Sequence, residues 1–440
     1  MNPGRNTPHR IAAAAVVVAL LGGGLAACGS GTGSDAGGEL TYWSMWKEDE
    51  PQQKVIADSI DQFTKDTGIK VRVEWAGRDV VKKKLPAALN TNHVPDLVDQ
   101  ASDEIKPYLA DQKQARGLDD VYAAAIPGEP GIKVGDVVPT KYIDSLGLKL
   151  PDGQPFMVPY SITGVGFFYD AAALPDVAAN PPKTWDAFRA ELDKIKAEGK
   201  MAPLTNDADQ TWANSYWMTY LLNREFGPGG LKKIAADKTG AAWKDPKVLD
   251  AAQKLEKLTR GGYLLKGYDA SRYPEQQKQW SNNKAAFFLG GSWLPTETQT
   301  YAKPGIQYAS LPFPTFEGQA KSEEIALFGF AIPAKAKHSA EAGKFIAYFL
   351  NKSRAGRIAS EAQTLSSRPD VDAPPALAGL KKEIDSVATV HPFCDGADFP
   401  GFQDRIYFPA VTDLLLGKTS AQQFVDNIAK AQADFWKSQS

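Results

Sequence analysis

The sequence predicts an α/β protein built of two lobes. The stretch 39–98 alternates β-favouring runs with helical patterns in the order strand, helix, strand, helix, strand. That order is typical of a parallel sheet with helices on its faces. The chain after its N-terminal leader is roughly 400 residues long, which exceeds the length over which one hydrophobic core keeps growing. Two lobes are therefore expected.

Local signals define the elements of the first region. A short β-favouring run at 39–43 is followed by a helix that begins near Pro51 and ends at Gly68, with an apolar residue at every third or fourth position. The run 69–75 alternates apolar and polar residues and predicts a second strand. A helical stripe and a short strand at 94–98 complete the series.

The region after residue 150 continues the α/β pattern. A β-favouring run at 162–169 contains Gly164 and Gly166, which are typical of a bulge or a closely packed strand. Thr184 predicts the N-cap of a helix that ends at Gly199. We expect further helices at 209–226, around 248–258, from 342 and beyond 375, and strands at 285–289 and 328–332.

The N-terminus carries the pattern of an export signal, with basic residues, an apolar run at 11–21 and small residues before Cys28. The run Leu25–Cys28 resembles a bacterial lipobox, whose cysteine thiol is acylated with diacylglycerol. An ordinary cleaved signal and an uncleaved anchor are the alternatives, although the apolar run falls short of the roughly 20 residues that span a bilayer. The domain prediction is a signal peptide at 1–27 and a lipidated cysteine with a flexible tether at 28–38.

Composition and motifs exclude several classes of function. The formal net charge of −2 argues against nucleic acid as a partner. The four histidines are scattered singly and no Cys-x-x-Cys is present, so we expect neither a metal site nor a cofactor. If Cys28 is acylated, Cys394 has no partner for a disulfide and is expected to be a small buried hydrophobe. A glycosidase stays open, because its two carboxylates need only lie about 5–10 Å apart.

Aromatic residues beside turn residues are the positive signal for function. The chain has ten Trp and fifteen Tyr. Flat rings suit the C–H face of a pyranose, and polar side chains at the ring edge can bind its hydroxyls. Trp293, after two glycines, is the strongest candidate, whereas Trp75 is better explained by core packing. The other aromatic candidates are Trp43, Trp46, Tyr160, Trp212, Tyr216 and Trp217. The polar candidates are Arg78, Asp96, Asp99, Gln100, Asn206, Asp207 and Arg368.

An ordered series of short motifs covers the body of the chain. The motifs lie at 43–46, 63–71, 94–97, 158–170, 182–186, 290–293 and 311–318, and include Trp43-Ser44-Met45-Trp46, Val94-Pro95-Asp96-Leu97, Pro182-Lys183-Thr184-Trp185 and Gly290-Gly291-Ser292-Trp293. In this order, and with the lipobox, the series resembles the extracellular solute-binding proteins of bacterial carbohydrate ABC importers, the oligosaccharide-binding type of family 1.

The resemblance implies a two-lobed periplasmic-binding-protein-like fold of type II, with a ligand cleft between lobes joined by a hinge. Lobe 1 would take 39–155 plus 295–345, and lobe 2 would take 156–294 plus 346–440. Implied ligand contacts are Trp46, Glu48, Asp96 to Gln100, Tyr160, Trp212, Gly291, Ser292, Trp293 and Arg368.

The implied function is capture of a sugar, a di- or oligosaccharide, and its delivery to the transmembrane subunits of an ABC permease. The protein is expected to be a monomer without enzymatic activity, held at the outer face of the cytoplasmic membrane by its lipid anchor only. The alternatives are a surface glycoside hydrolase and a binding protein for a non-sugar solute.

Overall fold

A mixed ten-stranded β-sheet runs through the structure, a computed structural model that describes residues 39–319 and 321–439. The predicted signal peptide, Cys28 and the tether lie outside the described residues. The strands are β1 (Leu40–Ser44), β2 (Val71–Trp75), β3 (Leu97–Ala101), β4 (Met157–Asp170), β5 (Ala202–Thr205), β6 (Ala285–Gly291), β7 (Tyr308–Leu311), β8 (Ser322–Ala331), β9 (Leu365–Ser366) and β10 (Thr389–His391).

Helices pack against this sheet and form most of the C-terminal part of the chain. They are α1 (Pro51–Thr67), α2 (Arg78–Leu89), α3 (Ser102–Leu109), α4 (Asp119–Tyr122), α5 (Val134–Val137), α6 (Thr140–Ser145), α7 (Pro175–Ala179), α8 (Trp185–Glu198), α9 (Thr211–Phe226), α10 (Gly230–Ala236), α11 (Pro246–Arg260), α12 (Glu275–Ser281), α13 (Leu294–Thr298), α14 (Ser339–Phe349), α15 (Lys352–Ala355), α16 (Arg357–Ser360), α17 (Ala378–Ser386), α18 (Phe408–Leu415) and α19 (Ala421–Lys437). Among the described residues, none of these helices is long and apolar enough to cross a membrane.

The sheet has the order β2-β1-β3-β8-β4-β6-β5. β1 pairs in parallel with both β2 and β3, as the sequence predicted. β8 is antiparallel to β3 and to β4. β4 is 14 residues long: its first part, 157–164, pairs with β8, and its second part, 165–170, pairs with β6 and β7. β4 therefore links the two ends of the sheet.

Two hydrophobic cores lie along this sheet. The first core includes buried residues of 40–162 and 325–390 together with Phe168, Trp280, Phe288 and Leu294. The second core includes most buried residues of 165–264, 286–313 and 394–435. α14 belongs to the first core, where Phe345 packs on Phe63 of α1 with 5.4 Å between ring centroids. The predicted lobe boundary at 345/346 thus falls inside a helix whose apolar face is continuous. The division into lobes itself stays a prediction.

Local signals in the sequence are realised in the structure. The Thr184 hydroxyl accepts a hydrogen bond from the backbone N–H of Ala187 at 3.2 Å and caps α8. Gly164 and Gly166 lie in closely packed parts of β4: a Cβ atom would come within 2.7 Å of the Ile384 side chain at Gly164 and within 2.7 Å of the Leu311 carbonyl oxygen at Gly166. The prediction of a closely packed strand is confirmed.

Cys394 is fully buried in the second core, and its Sγ lies 3.6 Å from the Ser215 hydroxyl. Burial raises the pKa of this thiol, which keeps it protonated and unreactive. The predicted role as a small buried hydrophobe is confirmed.

A buried ion pair joins α9 to β8. The guanidinium of Arg224 donates to the carboxylate of Glu323 at 2.9 Å, and both side chains are inaccessible to solvent. The same guanidinium donates to the backbone carbonyls of Phe313, Pro314 and Ser322 at 3.0, 3.2 and 2.6 Å. Because its donors are used in this way, the buried charge is compensated and the pair fixes one end of β8.

Arg224→Ala is expected to lower the free energy of unfolding by about 3–5 kcal/mol, because it leaves the Glu323 carboxylate buried without its partner. Urea unfolding followed by circular dichroism measures the change. Arg260→Ala is the matched control, since Arg260 forms an exposed pair with Glu256 at i,i+4 and should cost at most about 0.5 kcal/mol. Equal losses in the two variants would contradict this account of the ion pair.

Candidate functional site

Two adjoining cavities open beside the centre of the sheet and are called here the main cavity and the side cavity. The main cavity has a volume of about 390 Å³ and the side cavity about 250 Å³. Trp212 and Trp293 line both cavities, which together form the cleft. The aromatic residues of the main cavity are Trp46, Trp212, Tyr216, Trp293, Phe328 and Phe393. A cavity of this size suits a small ligand rather than a macromolecule.

Two surface grooves are similar in volume and differ in character. One lies between α1 and the region of α15 and has a volume of about 460 Å³, and the other lies around 352–375 with about 470 Å³. Among the described residues that line these grooves, none is aromatic. The cleft therefore stands out by the chemistry of its walls and not by its size.

The Trp293 ring lies directly over the backbone of Gly291. A Cβ atom at position 291 would come within 1.8 Å of the indole, so the absence of a side chain is what lets the ring lie there. Trp212 at the start of α9 lies beside it, with 5.8 Å between ring centroids and 39° between ring planes. The Trp212 residue is 39% exposed and presents free ring surface. The two indoles form an apolar wall in which the ring planes are tilted to each other.

A buried hydrogen-bond chain holds Trp46 on the opposite side of the main cavity. The indole N–H of Trp46 donates to the Tyr160 hydroxyl at 2.7 Å, which donates to the Asp99 carboxylate at 2.6 Å. The other oxygen of Asp99 accepts from the backbone N–H of Met45 at 3.0 Å. Tyr160 and Asp99 were predicted as ligand contacts, but the structure places both behind the wall, where they position Trp46.

Arg78 is the one basic side chain among the described residues that line the cleft. Its guanidinium lies 5.2 Å from the centroid of the Phe328 ring. Gln100, also predicted as a contact, donates from its side-chain amide to the backbone carbonyl of Arg78 at 3.1 Å. Gln100 thus supports the segment that carries Arg78 and does not line the cleft.

Carboxyl groups supply most of the charge in the cleft. Asp103, Glu104 and Glu324 line the main cavity, and Asp207 and Glu297 line the side cavity. Within the part of the chain that the structure describes, Glu104 Oε2, Asp207 Oδ2 and Glu324 Oε2 are buried and have no hydrogen-bond partner. Such oxygens cost free energy unless a ligand or water donates to them.

Burial shifts the protonation of these acids. The pKa of Glu324, which is 2% exposed, is raised far above its ordinary range, because burial disfavours the charged form and Asp395 repels it. The pKa of Asp207, which is 1% exposed, is raised to about 6 by burial, against one backbone hydrogen bond from Gln276 at 2.8 Å. Perturbed acids in a cleft are typical of functional sites.

Several predicted contacts lie elsewhere. Asp96 is nearly buried and accepts hydrogen bonds from Thr41 and from the backbone N–H groups of Lys337 and His338, so it connects β1 to the segment before α14. Arg368 forms a bidentate pair with Glu129 and a second pair with Asp370.

Neither Asp96 nor Arg368 lines the cleft, and Glu48 is exposed outside it. Trp46, Arg78, Asp207, Trp212, Ser292 and Trp293 do line it, together with the aromatic candidate Tyr216 and the polar candidate Asn206. Trp43, Trp75 and Trp217 lie outside it, and Trp217 packs in the second core.

Sequence reasoning missed the acids of the main cavity. Asp103 and Glu104 lie in the first turn of α3, and Glu324 lies in β8 just before the apolar run 325–332. A carboxylate inside an otherwise buried strand was the available signal, because charged residues are seldom fully buried without a reason. The predicted strand at 328–332 began too late to include it.

The cleft presents aromatic rings and hydrogen-bond acceptors. The Ser322 hydroxyl lies 2.7 Å from Nδ1 of His391, whose Nε2 is 4.0 Å from the Glu324 carboxylate. Ser322 is fully buried within the sheet, so this group of residues offers no hydroxyl to a substrate. Among the described residues, no group of His, Cys, Asp and Glu could hold a metal ion.

The family model "Bacterial extracellular solute-binding protein" matches residues 47–354, which is more than half of the chain. The diacetylchitobiose binding protein NgcE of Streptomyces coelicolor is 24% identical over 292 residues, which are 66% of this chain and 58% of that protein. The chain thus spans less than two thirds of the length of this first relative. The diacetylchitobiose binding protein DasA of the same organism is 26% identical over 79% of this chain and 78% of its own length.

Solved structures share the fold at low sequence identity. The apo form of RafE from Streptococcus pneumoniae superimposes with a TM-score of 0.72 at 16% identity, covering 91% of this chain and 99% of that one. A cyclo/maltodextrin-binding protein complexed with maltotetraose gives a TM-score of 0.68 at 17% identity, covering 90% and 97%. The likeness concerns the fold alone.

Asp207→Asn is expected to stabilise the protein in a pH-dependent way. The folded-state pKa of about 6 exceeds the ordinary value of about 3.9, so the wild-type protein loses stability as pH rises from about 4 through 6. Asn keeps the acceptor for the Gln276 N–H and does not ionise. The variant should match wild type near pH 4 and be more stable by about 2–3 kcal/mol at pH 7. Urea unfolding of both proteins across this range measures the difference, and a difference that is constant with pH would contradict the shifted pKa.

Proposed function

The chain belongs to the bacterial extracellular solute-binding protein family, and on that premise we propose that it captures a di- or oligosaccharide outside the cell and delivers it to the permease of an ABC importer. The observation that carries the proposal is the juxtaposition of the Trp212 and Trp293 rings with two carboxyl oxygens, of Asp207 and Glu324, that have no hydrogen-bond partner among the described residues. Rings pack on the C–H face of a pyranose, and its hydroxyls donate to carboxylates.

The relatives support a sugar as the solute. Two of them are named as diacetylchitobiose binding proteins, and one from Streptococcus mutans as a multiple sugar-binding protein. One neighbour in structure is described in complex with raffinose and another with maltotetraose. A cleft that continues from the main cavity into the side cavity past both indoles has room for more than one sugar ring.

Hinge closure is the proposed mechanism of capture. Trp46, Ile325 and Phe328 of the cleft wall belong to the first core, whereas Val165, Tyr216 and Trp293 belong to the second core or pack against it. We propose that the two cores correspond to lobes that close around the sugar, with β4 and β8 crossing between them. Ligand shifts this equilibrium only as far as it binds the closed form more tightly. The permease would recognise the closed form.

We also propose that Cys28 is acylated and holds the protein at the outer face of the cytoplasmic membrane. The support is the run Leu25–Cys28 after the apolar segment, followed by the Gly- and Ser-rich tether. The tether would let the body reach the permease.

In the native host, Cys28→Ser should move the protein from the membrane fraction to the medium, because the acyl chains that anchor it are lost. Detergent phase partition and mass spectrometry of the N-terminal peptide measure the change. Cys394→Ser is the control and should leave the distribution unchanged. A wild-type peptide without an added lipid mass would contradict the anchor.

Trp293→Ala is expected to weaken sugar binding about 10- to 100-fold, which is the affinity equivalent of burying one aromatic side chain. The wild type is first titrated with xylo-, cello-, malto-, chito- and arabino-oligosaccharides, and a binder raises its melting temperature. Isothermal titration calorimetry then compares the variants. Trp43→Ala is the control, because Trp43 lies outside the cleft beside Lys84.

Equal affinity of the Trp293 and Trp43 variants would contradict the assigned wall. If the wild type bound none of the sugars, sugar binding would be contradicted. Release of shorter saccharides during incubation would indicate a hydrolase instead.

A further inference from the structure

The charges that line the cleft are strongly one-sided. Five carboxyl groups line its two cavities, namely those of Asp103, Glu104, Glu324, Asp207 and Glu297, against the single guanidinium of Arg78. Among the described residues that line the cleft there is no lysine and no histidine. Arg78 lies over the Phe328 ring at one side of the main cavity. Such an imbalance attracts cations and repels anions.

Two of these acids are buried and incompletely bonded. The exposed fraction is 2% for Glu324 and 1% for Asp207, so both residues are more than nine-tenths buried. Among the described residues, Glu324 Oε2 in the main cavity and Asp207 Oδ2 in the side cavity have no hydrogen-bond partner. Trp212 and Trp293, which border both cavities, connect these two positions. The cleft therefore has a free buried acceptor on each side of its aromatic wall.

Among the described residues around Glu324, none supplies a compensating cation. His391 Nε2 lies 4.0 Å from its carboxylate, but burial lowers the pKa of His391 and keeps the imidazole neutral. Asp103 and Asp395 act on Glu324 as like charges. Arg224, the nearest buried guanidinium on α9, is bound to Glu323 on the same strand. A positively charged ligand group in the cavity would therefore supply the positive charge that these neighbouring residues do not give to Glu324.

We propose that the cleft selects a cationic amino sugar, a saccharide with a free protonated amine, over neutral and acidic saccharides of the same size; this rests on the proposed function of the cleft. An ammonium group brings three donors and a charge to an acceptor that is already desolvated, whereas a hydroxyl brings one donor and no charge. A uronic acid or sugar phosphate would meet repulsion from the carboxylates. The indoles also favour a cationic ring over a neutral one.

The experiment compares saccharides that differ only at C2. Trios based on glucose, glucosamine and N-acetylglucosamine are used as monosaccharides and as β-1,4-linked di- and trisaccharides, beside the oligosaccharide panel. Calorimetry on the full body of the chain at pH 7, above the raised pKa of Asp207 and where most of the amine is still protonated, should give an affinity for the glucosamine member about tenfold or more above its hydroxyl and acetamido counterparts. Added salt should reduce that preference.

The outcomes separate the two proposals. Binding of hydroxyl or acetamido members as tight as the amine, or binding only of a neutral panel sugar, overturns the selectivity and leaves sugar capture intact. Absence of binding to every saccharide overturns both.

Charge-neutral variants test the cause of the preference. Glu324→Gln and Asp207→Asn should each bring the ratio of amine to hydroxyl affinity closer to one, while a residue with a purely structural role would lower all affinities alike. Glu317→Gln, a change at an exposed position, should leave the ratio unchanged. Melting curves check that each variant folds. If Glu324→Gln does not fold, the affinity ratio of Asp207→Asn alone tests the proposal. An unchanged ratio in folded variants overturns the assignment of these acids.

Discussion

The adjacent residues Glu323 and Glu324 on β8 connect the buried core to the cleft, because one is buried in an ion pair and the other lines the main cavity. Successive side chains of a strand point to opposite faces. Glu323 therefore binds the buried Arg224 of α9, while Glu324 lines the main cavity. The central position of β8, between β3 and β4, ties both acids to the sheet that the two cores share. The ion pair fixes the strand next to the position from which Glu324 lines the cavity, so the placement of both acids depends on one register of β8.

The acids of the cleft store free energy that a ligand can recover. Buried oxygens without donors destabilise the free protein, and the raised pKa of Asp207 and of Glu324 expresses that cost. Binding then gains because the acceptors have already lost their water, which favours ligands with well-placed donors.

Local patterns in the sequence predicted much of the fold and part of the site. The family resemblance and the α/β fold are confirmed, as are the parallel order of β1 to β3 and the cap at Thr184. The Gly291–Trp293 turn could be recognised because its signal lies within three residues. The roles of Asp99 and Tyr160 could not, since their hydrogen bond joins residues 61 positions apart. Arg368 is a residue type that often contacts sugars, and only its ion pair with Glu129, 239 positions away, shows that its role is structural.

The two walls of the cleft differ in how firmly they are held. Trp46 is nearly buried and lies at the end of a chain of hydrogen bonds through Tyr160 to Asp99. Trp212 is 39% exposed and donates one hydrogen bond, to its neighbour Gln210 at 3.1 Å. A ring that is already ordered costs little to bind against, whereas an exposed ring must lose rotamer freedom. The wall of the first core is thus held by the fold itself, whereas Trp212 on the other wall keeps rotamer freedom that a bound ligand would restrict.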